Sequence, residues 1–152
     1  MTLAAISTAT LALAHSLGLK VVALEPRTHD DVRRVAGKLA QLLGQPAAGE
    51  RLWARLEGEI DQAASTVPAG WRGQRVYYEV DSAPYAAGTA SFIGHTLARL
   101  GLKNIVPESL GPFPKLNPEF VVRGDPLLIM VSARNAAALP ARPGWSRIQA
   151  VQ

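Results

Sequence analysis

The sequence predicts an α/β domain whose sheet is mostly parallel, and two observations support this fold class. Over residues 75–131, short apolar runs of β type alternate with segments of helical spacing. Polar and aromatic residues gather in two loops of that stretch, 81–88 and 108–116. Since open α/β sheets bind ligands where parallel strands end, recognition is expected at one edge of this layer.

Composition bounds the class of protein. The chain has 152 residues, 48% hydrophobic and 18% charged, which is enough for one folded domain with a core. The absence of cysteine excludes disulfides, thiolate metal sites and a cysteine nucleophile. The net charge is +4, but lysines and arginines are scattered and form no basic stripe among aromatics, so a solvated basic surface is favoured over nucleic-acid binding.

The N-terminal segment is apolar and ends in a strand-like run. Residues 9–17 predict a helix that stops at Gly18, a residue suited to the position after a helix. The segment is apolar enough for a secretory signal but lacks the positively charged start of one, so a helix of the fold is preferred. Residues 19–24 (LKVVAL) then predict a strand buried on both faces.

Two consecutive helices are predicted over residues 29–66. Thr28 is a good N-cap, and the carboxylates of Asp30 and Asp31 suit the positive end of the helix dipole. Gly44 interrupts the pattern, and Pro46 suits the first turn of the second helix. If the pair ran straight it would span roughly 55 Å, so the segment is interpreted as a strut between two bodies.

The C-terminal half reads as alternating strands and helices after a Pro/Gly linker at 67–74. Thr89 or Ser91 should cap the first helix, which stops at Gly101, and Asn117 with Pro118 should begin the second, which Asp125 and Pro126 end. The expected strands cover 75–80, 104–106 and 127–132, and a helical or loop unit follows over 133–152.

No constellation of residues in the chain indicates catalysis. His15, His29 and His95 lack the spacing of a ligand pair, so surface or structural roles are expected for them. No nucleophile elbow is present, and Ser91 is better interpreted as a helix cap. Glu79 and Asp81 should share one strand face, where they either hold a ligand or form a solvated edge.

The loops at the expected sheet edge offer a binding surface. The stretch SAPYAAGTAS ends at a helix N-terminus, where free N–H groups attract an anionic or carbonyl-rich ligand. Tyr85 and Phe113 should lie at the same edge and suit a flat or bulky apolar ligand, or else simply cover the edge. Glu119 either complements a helix dipole or docks on an arginine of a partner.

Two stretches resemble a known family. YYEVDSAPYAAGTASFIGHTLARLGLKNIVPE, followed by GPFPKLNPEFVVRGDPLLIMV, resembles the C-terminal lobe of the class III periplasmic binding proteins. These serve ABC importers of cobalamin, haem and ferric siderophores, and the cobalamin-binding branch is the most similar. LGLKVVALEPRTHDDVRRVAGKLAQLLGQ resembles the end of the family's N-terminal lobe and the start of its interlobe helix.

The resemblance implies a domain organisation and a set of contacts. It implies a Rossmann-like lobe over 75–152, a long interlobe backbone helix over 28–67 and a remnant of a second lobe over 1–27. Glu119 matches the family's docking glutamate, which pairs with arginines of the permease. The implied ligand contacts are Tyr85, Ala87, Gly88, Ser91, Phe92, Phe113 and Pro114.

The resemblance further implies a periplasmic solute-binding protein without catalysis or a cofactor, which delivers cobalamin, haem or a ferric siderophore to a membrane permease. Most of the family's N-terminal lobe, its signal or lipoprotein cysteine, and the last strand and helix of its C-terminal lobe have no counterpart. The family usually has Trp where Phe113 stands. We therefore expect a piece truncated at both ends, which binds weakly alone and self-associates through exposed apolar edges.

Two alternatives stay open from the sequence. A stand-alone α/β nucleotide- or phosphate-binding enzyme domain would hold phosphate with SAPYAAGTAS, although the GxGxxG pattern and a P-loop lysine are missing. A remnant that binds nothing and only oligomerises is the other. The sequence does not distinguish cobalamin from haem or a siderophore.

Overall fold

A computed structural model of the chain describes residues 8–22, 24, 26–82 and 84–152. In this part of the chain no helix is both long and apolar enough to cross a membrane. The helices are α1 (Thr8–Ser16), α2 (His29–Leu42), α3 (Pro46–Thr66), α4 (Phe92–Arg99), α5 (Pro118–Gly124) and α6 (Ala133–Ala136). The strands are β1 (Arg75–Asp81), β2 (Tyr85–Ala86), β3 (Lys103–Asn104) and β4 (Leu128–Met130).

The central strand of the sheet is β1. It pairs in parallel with β3, Val76 opposite Asn104, and in parallel with β4, Tyr77 opposite Ile129. The short β2 turns back along β1 in the antiparallel sense, with an irregular register between Glu79 and Asp81. The predicted α/β class with a mostly parallel sheet is therefore confirmed.

The N-terminal expectation is half correct. Helix α1 forms as expected, and Gly18 adopts φ 72°, the left-handed geometry of a helix stop. The buried strand over 19–24 is wrong for the residues described there, since none is in a strand and Leu19 and Val22 are 59% and 56% exposed. The physical reason is that no strand in the described part of the chain runs beside this segment to pair its backbone.

Helices α2 and α3 fold back on each other. The break at residues 43–45 is followed by Pro46, and Arg33 on α2 then reaches Glu50 on α3 at 3.1 Å. A Cβ on Gly49 would lie 2.9 Å from the Cα of Gly37, so the two helices touch through glycine. The straight path of roughly 55 Å is therefore wrong, while the 28–67 boundaries of the interlobe segment stay a prediction.

The start of α2 follows its sequence signals. The Thr28 hydroxyl accepts from the Asp31 N–H at 3.2 Å, and the Asp31 carboxylate accepts from the N–H groups of Thr28 and Arg27. This reciprocal capping box satisfies donors that a helix start leaves unpaired. Hydrogen bonds from Arg34 and from those N–H groups hold the pKa of Asp31 at about 2.

His29 joins the helix pair to α4. It is buried, its Nε2 lies 2.9 Å from the Thr96 hydroxyl, and its ring meets Phe92 edge-on with centroids 4.6 Å apart. Burial, with the nearby His95 and Arg99, lowers the pKa of His29. Arg99 also pairs with Asp61 of α3, so α4 is fastened to both helices.

The core of the sheet lies between β1 and the C-terminal segment. Tyr77 and Trp145 are fully buried and meet edge-to-face, with ring centroids 6.1 Å apart. Burial, followed by the neighbouring Glu79 carboxylate, raises the pKa of Tyr77 above its ordinary value. The other core residues are Ala86, Val106, Leu116, Val121, Leu139 and Ile148.

Glu79 has neither of the two roles expected for it, because its carboxylate is buried in an ion pair. It accepts from both terminal nitrogens of Arg142, at 2.6 and 2.8 Å, and from the Tyr77 hydroxyl at 3.3 Å. The Arg142 guanidinium also lies 4.4 Å from the centre of the Trp145 ring. A bidentate pair of this kind ties residues 139–151 to the centre of the sheet.

Candidate functional site

The candidate site is built from two loops that hydrogen-bond to each other where the parallel strands end. Ala86 N–H donates to the Pro114 carbonyl at 3.0 Å, Gly88 N–H to Pro112 at 2.9 Å and Leu116 N–H to Pro84 at 3.0 Å. Together with the bridge between Tyr85 and Lys115, these bonds keep one antiparallel register from 84–88 to 112–116. We call this two-loop unit the paired loops.

Three further contacts fix the paired loops onto the sheet. The Asn104 side chain donates to the Ala87 carbonyl at 2.8 Å and accepts from the Val106 N–H at 3.0 Å. Thr89 N–H donates to the Val106 carbonyl at 3.1 Å. A Cβ at Gly88 would stand 2.5 Å from the Gly111 carbonyl oxygen, so only glycine permits this approach of the loops.

Tyr85 and Phe113 lie on opposite members of the paired loops, and we call these two residues the aromatic ridge. In the register of the paired loops they are diagonal neighbours on one face. Their side chains are exposed, at 39% and 48%, while Pro114 between the two bonded loops is half-buried. Two accessible aromatic groups on a hydrogen-bonded frame form a firm apolar wall.

The other expected contacts lie behind that ridge. Ala87, Gly88 and Ser91 are buried, and Ser91 caps α4 by accepting from the Gly94 N–H while donating to the Gly88 carbonyl at 2.7 Å. Phe92 is 37% exposed and packs partly on His29. Ligand contact by these four residues stays a prediction, and in the present geometry Ala87 and Ser91 support the loop from within.

Glu119 stands apart from the ridge, in the first turn of α5. Asn117 caps this helix, its side-chain oxygen accepting from the Glu119 N–H at 3.0 Å. The Glu119 carboxylate is exposed and forms no ion pair with any residue in the described ranges. Its docking role stays a prediction.

A polar depression next to the ridge was missed by sequence reasoning, apart from Asp81. It measures about 630 Å³ and lies where β1 and β4 end side by side. The signal that could have found it is a serine within two positions of the end of each parallel strand, Ser82 after β1 and Ser132 after β4. Its lining consists of Val80, Asp81, Ser82, Ser132, Arg134 and Asn135.

Chemically, the site offers surfaces for binding. Among the residues that the structure describes, no three histidine or carboxylate side chains are grouped to hold a metal ion. The apolar ridge and the adjoining polar depression can hold a ligand that has one apolar face and a polar rim.

Comparison with solved structures gives matches along nearly the whole chain. A possible iron-binding periplasmic solute-binding protein from Staphylococcus epidermidis superposes with a TM-score of 0.78 at 23% identity, over 94% of this chain and 58% of that one. The periplasmic vitamin B12-binding protein BtuF of Vibrio cholerae gives 0.70 at 20% identity, over 96% and 58%. The periplasmic haem-binding protein RhuT from Roseiflexus sp. RS-1 gives 0.74 at 26% identity, over 95% and 59%.

The chain therefore spans 58–59% of the length of these three structures. No curated protein matches it. The family model for periplasmic binding proteins matches residues 6–152. Because that match takes in almost every residue, the chain belongs to the periplasmic binding protein family.

Proposed function

We propose that this chain forms the C-terminal wall of a solute-binding protein that captures a metal chelate for an ABC importer. The ligand class is cobalamin, haem or a ferric siderophore, and the chain performs no chemistry on it. Family membership supports the general role, and neighbours of similar fold are a vitamin B12-binding and a haem-binding protein by name.

The observation that carries the proposal is the aromatic ridge on the paired loops. Tyr85 and Phe113 are exposed although each could bury a large apolar area, and three backbone hydrogen bonds hold their loops in register. An apolar face kept open on a stiff frame suits a large flat or bulky ligand, because little conformational freedom is lost on binding. Corrin and porphyrin rings are ligands of that shape.

The enzyme alternative has less support. The N–H groups of Ser91 and Gly88 are already bonded to the carbonyls of Gly88 and Pro112. A phosphate at this loop would therefore have to displace existing hydrogen bonds, at a cost comparable to what it gains. Glu79, the buried carboxylate of β1, is held by Arg142 and is not free to act as a base.

Delivery to a permease in the periplasm completes the proposed role. The free Glu119 carboxylate at an exposed helix start is suited to an arginine of the permease, and a contact of this kind orients partners more than it adds affinity. Because the chain spans less than two thirds of its structural neighbours, it supplies one wall of the cleft, and we expect micromolar rather than nanomolar affinity for the chain alone.

The test is calorimetric titration of the chain with cyanocobalamin, haemin and ferrichrome. Tyr85→Ala and Phe113→Ala should each weaken binding by about tenfold, since each removes an aromatic contact worth one to a few kcal/mol. Trp71→Ala is the matched control, because Trp71 is 38% exposed, as Tyr85 is, but lies outside the paired loops.

Saturable binding of one chelate that both site variants weaken and the control does not would support the proposal. If none of the three chelates binds, or if Trp71→Ala weakens binding as much as the site variants, the proposed function is wrong. Binding of a nucleotide in place of a chelate would favour the enzyme alternative.

A further inference from the structure

The polar depression beside the aromatic ridge has a composition that the rest of the site lacks. Five of its six lining residues are polar or charged, and they come from the ends of the neighbouring strands β1 and β4. The depression holds one cation, Arg134, and one carboxylate, Asp81. It is therefore suited to polar groups at the rim of a ligand rather than to an apolar face.

The hydrogen-bonding groups of the depression are largely unused. Arg134 is exposed and joins no ion pair with any residue that the structure describes. The Ser132 hydroxyl makes no capping bond to α6. Asp81 differs, because its Oδ1 accepts from the backbone and the hydroxyl of Ser82, at 2.6 and 3.3 Å. The charged donor available in the depression is thus the guanidinium of Arg134.

The depression adjoins the aromatic ridge directly. Asp81, at the end of β1, is paired with Tyr85 of β2, and Tyr85 is bridged in turn to Lys115. The sheet edge therefore runs from β4 and Arg134, past Asp81, to Tyr85 and the second loop. A ligand lying on the ridge would project its rim over the depression.

We propose that Arg134 in this depression receives a peripheral carboxylate of the bound chelate. The inference rests on the proposed function and narrows its ligand class to chelates with carboxylates at the rim, such as porphyrin dipropionates, over chelates whose rim carries only neutral amides. A guanidinium binds a carboxylate through two parallel N–H donors, which gives both strength and orientation. Asp81 opposes an anionic rim, so the two charges have effects of opposite sign.

The test compares haemin with haemin dimethyl ester, which has the same ring without the carboxylate charges. Binding of each to the full chain is followed by absorption titration. The wild type should bind haemin about tenfold more tightly than the ester, as expected for one charge-assisted contact. Arg134→Gln should bring this ratio close to one, Arg134→Lys should retain part of it, and Asp81→Asn should increase it.

Two control variants separate this effect from others. Lys115→Gln removes the cation opposite Tyr85 and tests whether that charge, rather than Arg134, sets the acid-to-ester ratio. Phe113→Ala should weaken both porphyrins to a similar degree, because it removes apolar contact that the two ligands share. The ratio therefore reports on the depression, and the mean affinity reports on the ridge.

If the wild type binds haemin and its ester equally, or binds cyanocobalamin alone, the inference is overturned. In both cases the proposed function is unaffected. The inference is also overturned if Lys115→Gln abolishes the acid-to-ester ratio while Arg134→Gln leaves it unchanged. If the chain binds no chelate at all, the proposed function fails and the inference fails with it.

Discussion

Replacing Gly88 by alanine tests whether the paired loops require their close approach. The added Cβ would stand 2.5 Å from the Gly111 carbonyl oxygen, whereas ordinary van der Waals contact begins at 3.4 Å. The second loop would have to withdraw by about 0.9 Å, the difference between those two distances. Gly88 does not adopt a positive φ, so the whole penalty is steric.

The size of the effect follows from the bonds that the movement breaks. The Gly88 N–H to Pro112 carbonyl bond is 2.9 Å long and would be stretched beyond hydrogen-bonding distance. A buried N–H left unpaired costs about 1–3 kcal/mol, and overpacking costs a further 1–3 kcal/mol. We therefore expect Gly88→Ala to lower the free energy of unfolding by about 2–6 kcal/mol, a large share of a typical domain's stability.

Urea denaturation followed by tryptophan fluorescence measures this loss. Gly58→Ala is the matched control, since Gly58 lies within α3 and its added Cβ would meet nothing within 4 Å. Alanine is the better helix former there and should raise stability by about 0.5–1 kcal/mol. The two identical substitutions should therefore change stability in opposite directions.

A Gly88→Ala protein within about 0.5 kcal/mol of wild type, alongside a stabilised Gly58→Ala, would refute this reasoning. That result would mean that the two loops separate without cost, and it would also remove the rigid frame on which the ridge depends. Chelate affinity measured on the same Gly88→Ala protein then shows whether the loop spacing matters for binding.

Three other perturbations have clear expected outcomes. Arg142→Met leaves the Glu79 carboxylate buried without its partner and should lower the free energy of unfolding, measured in urea, by about 3–5 kcal/mol. A second change, Glu79→Leu, should restore most of that loss. A loss below about 1 kcal/mol would contradict a buried ion pair. The pKa of His29 is lowered in the fold, so the unfolded chain binds a proton on His29 more readily than the folded chain does. The free energy of unfolding should therefore be highest above pH 6.5 and fall below it. Denaturation at pH 7.5 and 5.5 should show a smaller change of stability with pH in His29→Gln, and an equal change would refute the role of His29. Asn104→Ala removes the hydrogen bond to the Ala87 carbonyl and should lower the free energy of unfolding by about 1–2 kcal/mol. It should also weaken chelate binding, because the first loop is no longer held to the sheet. A loss of stability with unchanged affinity would show that this hydrogen bond does not serve the site.

Local signals in the sequence predicted the elements whose causes are local. The capping residues Thr28 and Asn117 and the proline Pro118 lie where the structure begins helices. The strand predicted over residues 19–24 was wrong, because a Val-rich run becomes a strand only when a neighbouring strand pairs with it. Such pairing depends on residues far away in the sequence. The break before Pro46 was visible in the sequence, but the direction in which the chain continues depends on contacts such as that of Arg33 with Glu50.

The site was predictable in outline only. Tyr85 and Phe113 could be placed on one edge because both follow parallel strands, and the structure puts their loops side by side. The burial of Ser91 could not be predicted, since the sequence signal of a capping serine is the same whether that serine is exposed or buried. Nor could the partner of Glu79, which lies 63 residues further along the chain and follows no periodic pattern.

That long sequence separation has a consequence for how the protein is made. A ribosome releases Glu79 well before it adds Arg142, so for a stretch of synthesis the carboxylate at the centre of β1 has no counter-ion. Closing the sheet over it during that interval would bury a lone charge, which is strongly unfavourable. The nascent lobe should therefore stay open until Arg142 emerges, and ribosome-bound chains stalled before and after Arg142 should differ sharply in protease resistance.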